Sequence, residues 1–95
     1  MKNVDLNLGS GEVYNLVEAG KTIRWYRRSL NMTQQELAKL IGTSYPRVAR
    51  WEQGLTGMNV KSLVKLARIF GVSETELLHP SEEVKRCITM NRKKP

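Results

Sequence analysis

Apolar residues recur at helical spacing in several short runs, separated by Gly, Asn, Ser and Pro. In the first run Ile23, Tyr26, Arg27 and Leu30 follow the i, i+3, i+4, i+7 pattern, which predicts a helix that begins between Glu12 and Leu16 and ends at Leu30. Gly20 interrupts that helix, at about 1 kcal/mol relative to Ala. Trp25 falls off its stripe and reads either as a partly exposed packing residue or as an interface residue. Residues 33–54 hold two shorter patterns. Thr33 followed by Glu36 is the pattern of a capping box, after which Leu37, Ala38 and Ile41 face inward. Gly42 can take the positive φ that ends a helix sharply. Ser44 can cap the next helix, where Pro46 is tolerated because it lies in the first turn.

On that next helix Val48, Trp51, Glu52 and Leu55 form the inner stripe, while Pro46, Arg50 and Gln53 fall outside, flanked by Tyr45 and Arg47. Ala38 is small where the two helices cross. Two short helices, a glycine turn and a basic outer face give a helix-turn-helix. Asn59 can cap a fourth helix with a stripe of Val60, Leu63, Leu66, Ala67 and Phe70, ended by Gly71. Ser73 with Glu76 reads as a second capping box opening a fifth helix, which His79-Pro80 breaks. With no credible strand, the fold class expected is all-α, five helices on one core over residues 12–80. Residues 1–11 read as a flexible tail, or through Val4, Leu6 and Leu8 as a strand that pairs with another copy. Residues 81–95 read as a short helical extension capped by Ser81, with Val84, Cys87 and Ile88 on one face, and a basic tail.

Charge sharpens the picture. Sixteen Lys and Arg against nine Asp and Glu give +7, which favours polyanionic partners. Residues 20–57 carry seven basic and two acidic side chains, whereas residues 1–19 are net −2. Lys21, Arg24, Arg28 and Lys39 are expected to act as solvated charges. A single cysteine, Cys87, excludes an internal disulfide. One histidine and one cysteine eight positions apart indicate neither a metal site nor a Cys–His nucleophile, and no glycine-rich phosphate loop follows a strand. No enzyme activity, cofactor or metal is expected. No membrane-length apolar run or secretory leader pattern is present, so the expected location is cytoplasmic.

From about Leu16 to Leu78 the chain resembles the Cro/CI-repressor type of helix-turn-helix domain, also called the xenobiotic-response-element family. The resemblance rests on Ile23-Arg24…Arg27, Met32-Thr33-Gln34…Glu36-Leu37-Ala38, Ile41-Gly42, Val48…Trp51-Glu52-Gln53-Gly54 and Leu63…Leu66-Ala67…Phe70-Gly71-Val72-Ser73…Leu77-Leu78. It implies a lambda-repressor-like fold whose third helix reads the major groove, as a homodimer on a pseudo-palindromic operator. It also implies that Gln34 binds phosphate and that Ser44, Tyr45, Pro46 and Arg50 face bases or the adjacent backbone. Family members often carry an amide at the positions of Tyr45 and Pro46, and Pro46 has no polar group to offer a base.

The residues themselves suit that use. Arg50 can grip guanine O6 and N7 together, Arg47 suits phosphate, and Tyr45 suits a thymine methyl or a phosphate. Arg27 and Glu52 each replace an apolar residue on an inner stripe, so an ion pair between them is expected, and the resemblance implies the same pair. Ile69, Val84 and Ile88, read as surplus apolar surface, suggest a dimer contact within residues 69–90. Two other functions are compatible with the chain. One is an antitoxin-type module that neutralises a toxin partner through its terminal segments and autoregulates its operon. The other is unspecific binding of nucleic acid or a membrane surface by the basic tail.

Overall fold

The computed structural model describes residues 14–90, all of whose regular structure is helical. Asn15 opens α1 (Leu16–Ser29) by accepting the Glu18 N–H at 2.9 Å. At Thr33 both halves of the capping box are made, and α2 (Gln34–Ile41) follows. It stops at Gly42, where φ is +85°. Lys65 reaches across from the fourth helix and donates to the Ile41 carbonyl at 2.9 Å, placing a cation on the negative end of α2. Ser44 then caps α3 (Tyr45–Glu52), with Pro46 in its first turn, and Asn59 caps α4 (Val60–Phe70). The short α5 (Glu74–Leu78) and α6 (Glu82–Thr89), capped by Ser73 and Ser81, complete the described chain.

The core is one cluster. Ile23, Leu37, Val48, Leu66 and Leu77 bring one buried side chain from each of the first five helices, and Trp51, Ala38, Ile41 and Phe70 fill between them. Tyr26 stacks on Phe70 with ring centroids 5.4 Å apart and meets Trp25 edge-on at 5.0 Å. α6 lies against α1, with Val84, Cys87 and Ile88 packed on the cluster. Trp25 is therefore a buried packing residue.

Three stripe positions and one cap depart from the sequence reading. Leu30 is the C-cap of α1 and lies exposed, because the helix has already ended. Leu55 is exposed because α3 stops at Glu52 and the chain turns away through Gly54. Val60 is the first residue of α4 and is exposed too. Glu76 is not half of a capping box. Ser73 accepts the Glu76 N–H at 3.0 Å, but the Glu76 carboxylate hydrogen-bonds the Tyr26 hydroxyl instead. Burial first, then the charge of Glu76, push the Tyr26 hydroxyl up to about 12.

Gly20 is no mere interruption. A Cβ there would collide with the Trp51 carbonyl oxygen and lie 2.9 Å from that of Glu52. α1 and the end of α3 cross so closely that only glycine fits.

Candidate nucleic-acid interface

The outer face of α3 begins at Ser44, whose hydroxyl accepts the Arg47 N–H at 3.3 Å. Because Val48, Trp51 and Glu52 turn inward and are buried, Tyr45, Pro46, Arg47, Arg50 and Gln53 are all turned to solvent. Pro46, Arg50 and Gln53, spaced i, i+4 and i+7, form one row, and Tyr45 and Arg47 flank it. The sole carboxylate of α3 is Glu52, on the opposite side. The outer face thus carries two guanidinium groups and no acid of its own.

Glu52 accepts three hydrogen bonds from two side chains. Arg27 Nε donates to its Oε2 at 2.6 Å, and Arg27 Nη2 donates to its Oε1 at 3.0 Å, a two-pronged pair with both side chains buried. The remaining Arg27 nitrogen, Nη1, donates to the Met32 carbonyl at 2.6 Å. Gln34 Nε2 donates to Glu52 Oε1 at 2.9 Å. The Arg27–Glu52 pair therefore ties α1, the turn before α2, the first residue of α2 and the last of α3 together. Such a cluster fixes how far α3 stands out from the body of the domain.

Gln34, which the resemblance implies as a phosphate ligand, has a partner within the domain as well. One of its two amide hydrogens is engaged by Glu52, and the side chain is half-buried. Nothing local in the sequence signals this, because the partner lies 18 residues away.

Away from this face an ion pair links two helices. The Lys85 ammonium, on α6, lies 3.2 Å from Glu18 of α1 and 3.6 Å from Glu82, and the hydrogen bond to Glu18, then its charge, raise the ammonium's pKa. Among the described residues no three His, Cys, Asp or Glu side chains gather into a metal-binding group, and no helix is long and apolar enough to cross a membrane. Residues 1–13 and 91–95, which include the N-terminal alternation and the basic tail, lie outside the described residues.

Comparison with known proteins agrees with this fold. A helix-turn-helix family profile matches residues 23–77, more than half the chain. The HTH-type transcriptional regulator DicA of Escherichia coli (strain K12) is 34% identical over 64 residues, covering 67% of this chain and 47% of its own length. The chain thus spans about half the length of that relative. The P22 c2 repressor, solved in complex with a synthetic operator, superposes with a TM-score of 0.64 at 30% identity, over 66% of this chain and 96% of that one. A part of HppE, solved as its iron(II) form with substrate, superposes with a TM-score of 0.62 at 27% identity. There the likeness covers 68% of this chain and only 38% of HppE, so the same helical unit also occurs within a longer chain of another kind.

Proposed function

This chain belongs to the helix-turn-helix family of Cro/CI type, and from that premise we propose that it is a sequence-specific DNA-binding transcription regulator without catalytic activity. The observation that carries the reading is the division of α3 into two faces: Val48, Trp51 and Glu52 buried, and Tyr45, Pro46, Arg47, Arg50 and Gln53 exposed with two cations and no acid. α3 enters the major groove. Arg50 reads guanine through two parallel hydrogen bonds, and Gln53 faces a base edge one turn further on. Tyr45 and Pro46 offer apolar contact to a thymine methyl, and Ser44 and Arg47 bond phosphate. Gln34 turns its second amide hydrogen to a phosphate while its first stays on Glu52. Its role is to couple the backbone contact to the element that positions α3.

The functional unit in this reading is a homodimer on a pseudo-palindrome, with its two α3 helices about 34 Å apart, one turn of DNA. The domain runs over residues 12–80, with 81–90 as a packed extension. One feature that favoured the antitoxin reading is weakened, because Val84, Cys87 and Ile88 are partly buried against the core.

The test is selection of bound sequences from a random duplex pool. Enrichment of a pseudo-palindrome whose half-sites lie one helical turn apart supports the reading, and no enrichment removes it. Affinity for the enriched DNA should fall on the order of 10³-fold between 50 and 200 mM salt, because several neutralised phosphates release counterions.

A further inference from the structure

A cleft of about 880 Å³ lies between α1, the turn that leads into α2 and the carboxyl end of α6. Pockets that take small molecules run from about 300 to 1,000 Å³. Lys21, Arg24 and Arg28 line this one. The sequence reads the three as solvated charges, and all are exposed, yet they stand at i, i+3 and i+7 in one row of α1. Trp25 and Ile88 also line the cleft and give it apolar surface. Ile88, expected as part of a surplus apolar face with Ile69 and Val84, is partly buried against the core, as they are.

Two features set this row apart from an ordinary charged helix face. The first is that no acid answers it. Among the described residues none of the three cations has an ion-pair partner, and no carboxylate lines the cleft. Other cations of the domain are engaged: Arg27 by Glu52, Lys85 by Glu18, and Lys65 by the Ile41 carbonyl. Like charges at this spacing repel one another along a helix, and a bound anion relieves that repulsion. The second feature is position along α1. A cation in the last turn complements the negative carboxyl end of a helix, which accounts for Arg28. Lys21 and Arg24 stand further back, where no helix end calls for them.

We propose that this cleft is a binding site for a small organic anion, one that carries a carboxylate or phosphate group on an apolar ring or chain. The guanidinium groups of Arg24 and Arg28, one helical turn apart, grip the anionic head in their two-pronged geometry, and Lys21 adds a third charge. The apolar body lies against Trp25 and Ile88. Both parts are needed, because exposed cations alone hold an anion weakly in water. Arg27 and Met32 line the cleft as well, and their hydrogen bond belongs to the cluster that seats α3. The occupant therefore lies beside the anchor of the outer helix.

Nuclear magnetic resonance titration of the isotope-labelled full chain tests this, with naphthyl phosphate as the probe. Naphthyl phosphate should bind with a dissociation constant below about 1 mM. It should move the indole N–H signal of Trp25 and leave that of Trp51, deep in the core, nearly still. Inorganic phosphate and uncharged naphthol should each bind at least about tenfold more weakly, since each lacks one part of the ligand. Arg24→Glu and Arg28→Glu should each weaken naphthyl phosphate about tenfold, with unchanged helical circular dichroism. Arg68→Glu makes the same charge change at an exposed position of α4 and should leave binding within about twofold of wild type. No binding, a Trp25 signal that stays in place, or equal losses in all three variants would overturn the proposal. Inorganic phosphate that binds as well as naphthyl phosphate would reduce the cleft to a patch of charge and overturn it too. DNA is the other source of phosphate, and competition separates the two. A duplex of arbitrary sequence should leave naphthyl phosphate bound. A duplex that displaces it, and that depends on Arg24 and Arg28 but not on Arg68, would assign the cleft to the DNA backbone and overturn the proposal. The titration needs no operator, so a chain that selects no DNA sequence leaves this site standing, and loss of the site leaves sequence selection standing.

Discussion

The two faces of α3 use the same kinds of charged residue for opposite ends. On the inner face Glu52 meets Arg27 of α1 at 2.6 Å, with both groups buried and every charge answered within the domain. On the outer face Arg47 and Arg50 stand in solvent with no acid of the same helix beside them. The inner charges fix the helix to its frame, and the outer ones are left to a partner. An eight-residue helix cannot bury much apolar surface, so a directional polar cluster at its end adds orientation that Val48 and Trp51 alone would not supply.

The largest expected effect comes from breaking the inner face. Arg27→Met or Glu52→Leu strands a buried charge and should cost about 3–5 kcal/mol of stability. The double variant, with both charges gone, should recover much of that loss. Chemical denaturation of the four proteins measures the coupling, and purely additive losses would show that the pair does not act as a unit.

The periodic reading reached this pair because both residues stand at apolar positions of their stripes. It likewise reached Thr33, Glu36, Gly42, Ser44 and Asn59, whose roles depend on neighbours three or four residues away. It failed where the determining partner is remote. Gly20 looks like a flaw in α1 until the Trp51 and Glu52 carbonyls are placed against it. The expectation that Gln34 meets phosphate carried no sign of its bond to Glu52, 18 residues on. Leu30, Leu55 and Val60 fit their stripes by spacing yet lie at or past helix ends, where the stripe no longer faces anything. Trp25 was undecidable without knowing that α6 folds back on α1.

The frame has a second polar anchor, which pH can probe. Tyr26 of α1 bonds Glu76 of α5, and its hydroxyl is raised from 10.0 to about 12. The fold favours the protonated phenol, so this contribution is complete below pH 10 and is lost as pH rises from 10 to 12. The loss should be about 2–3 kcal/mol. Lysines also titrate in that window, so the measurement is the difference between wild type and Tyr26→Phe in denaturation midpoints at several pH values. Parallel curves would remove Tyr26 as the responsible group.

Gly20→Ala sharpens the inner face further. The new methyl meets backbone carbonyls rather than a flexible side chain, so α1 and α3 must separate, at roughly 1–3 kcal/mol despite alanine's better helix propensity. A stabilised Gly20→Ala protein would contradict the close crossing.

The smallest effect on folding, and the most direct test of the central claim, comes from the outer face. The measurement is the affinity of wild type, Arg50→Ala and Gln34→Ala for the selected operator and for a panel with each base pair substituted in turn. Arg50→Ala should fold as well as wild type, weaken operator binding by about 1–3 kcal/mol per half-site, and lose discrimination at one base pair of each half-site. Gln34→Ala should weaken all members of the panel alike and keep the wild-type order of preference. If Arg50→Ala kept every preference, or if both variants gave the same profile, α3 would not be divided into a face that fastens and a face that reads.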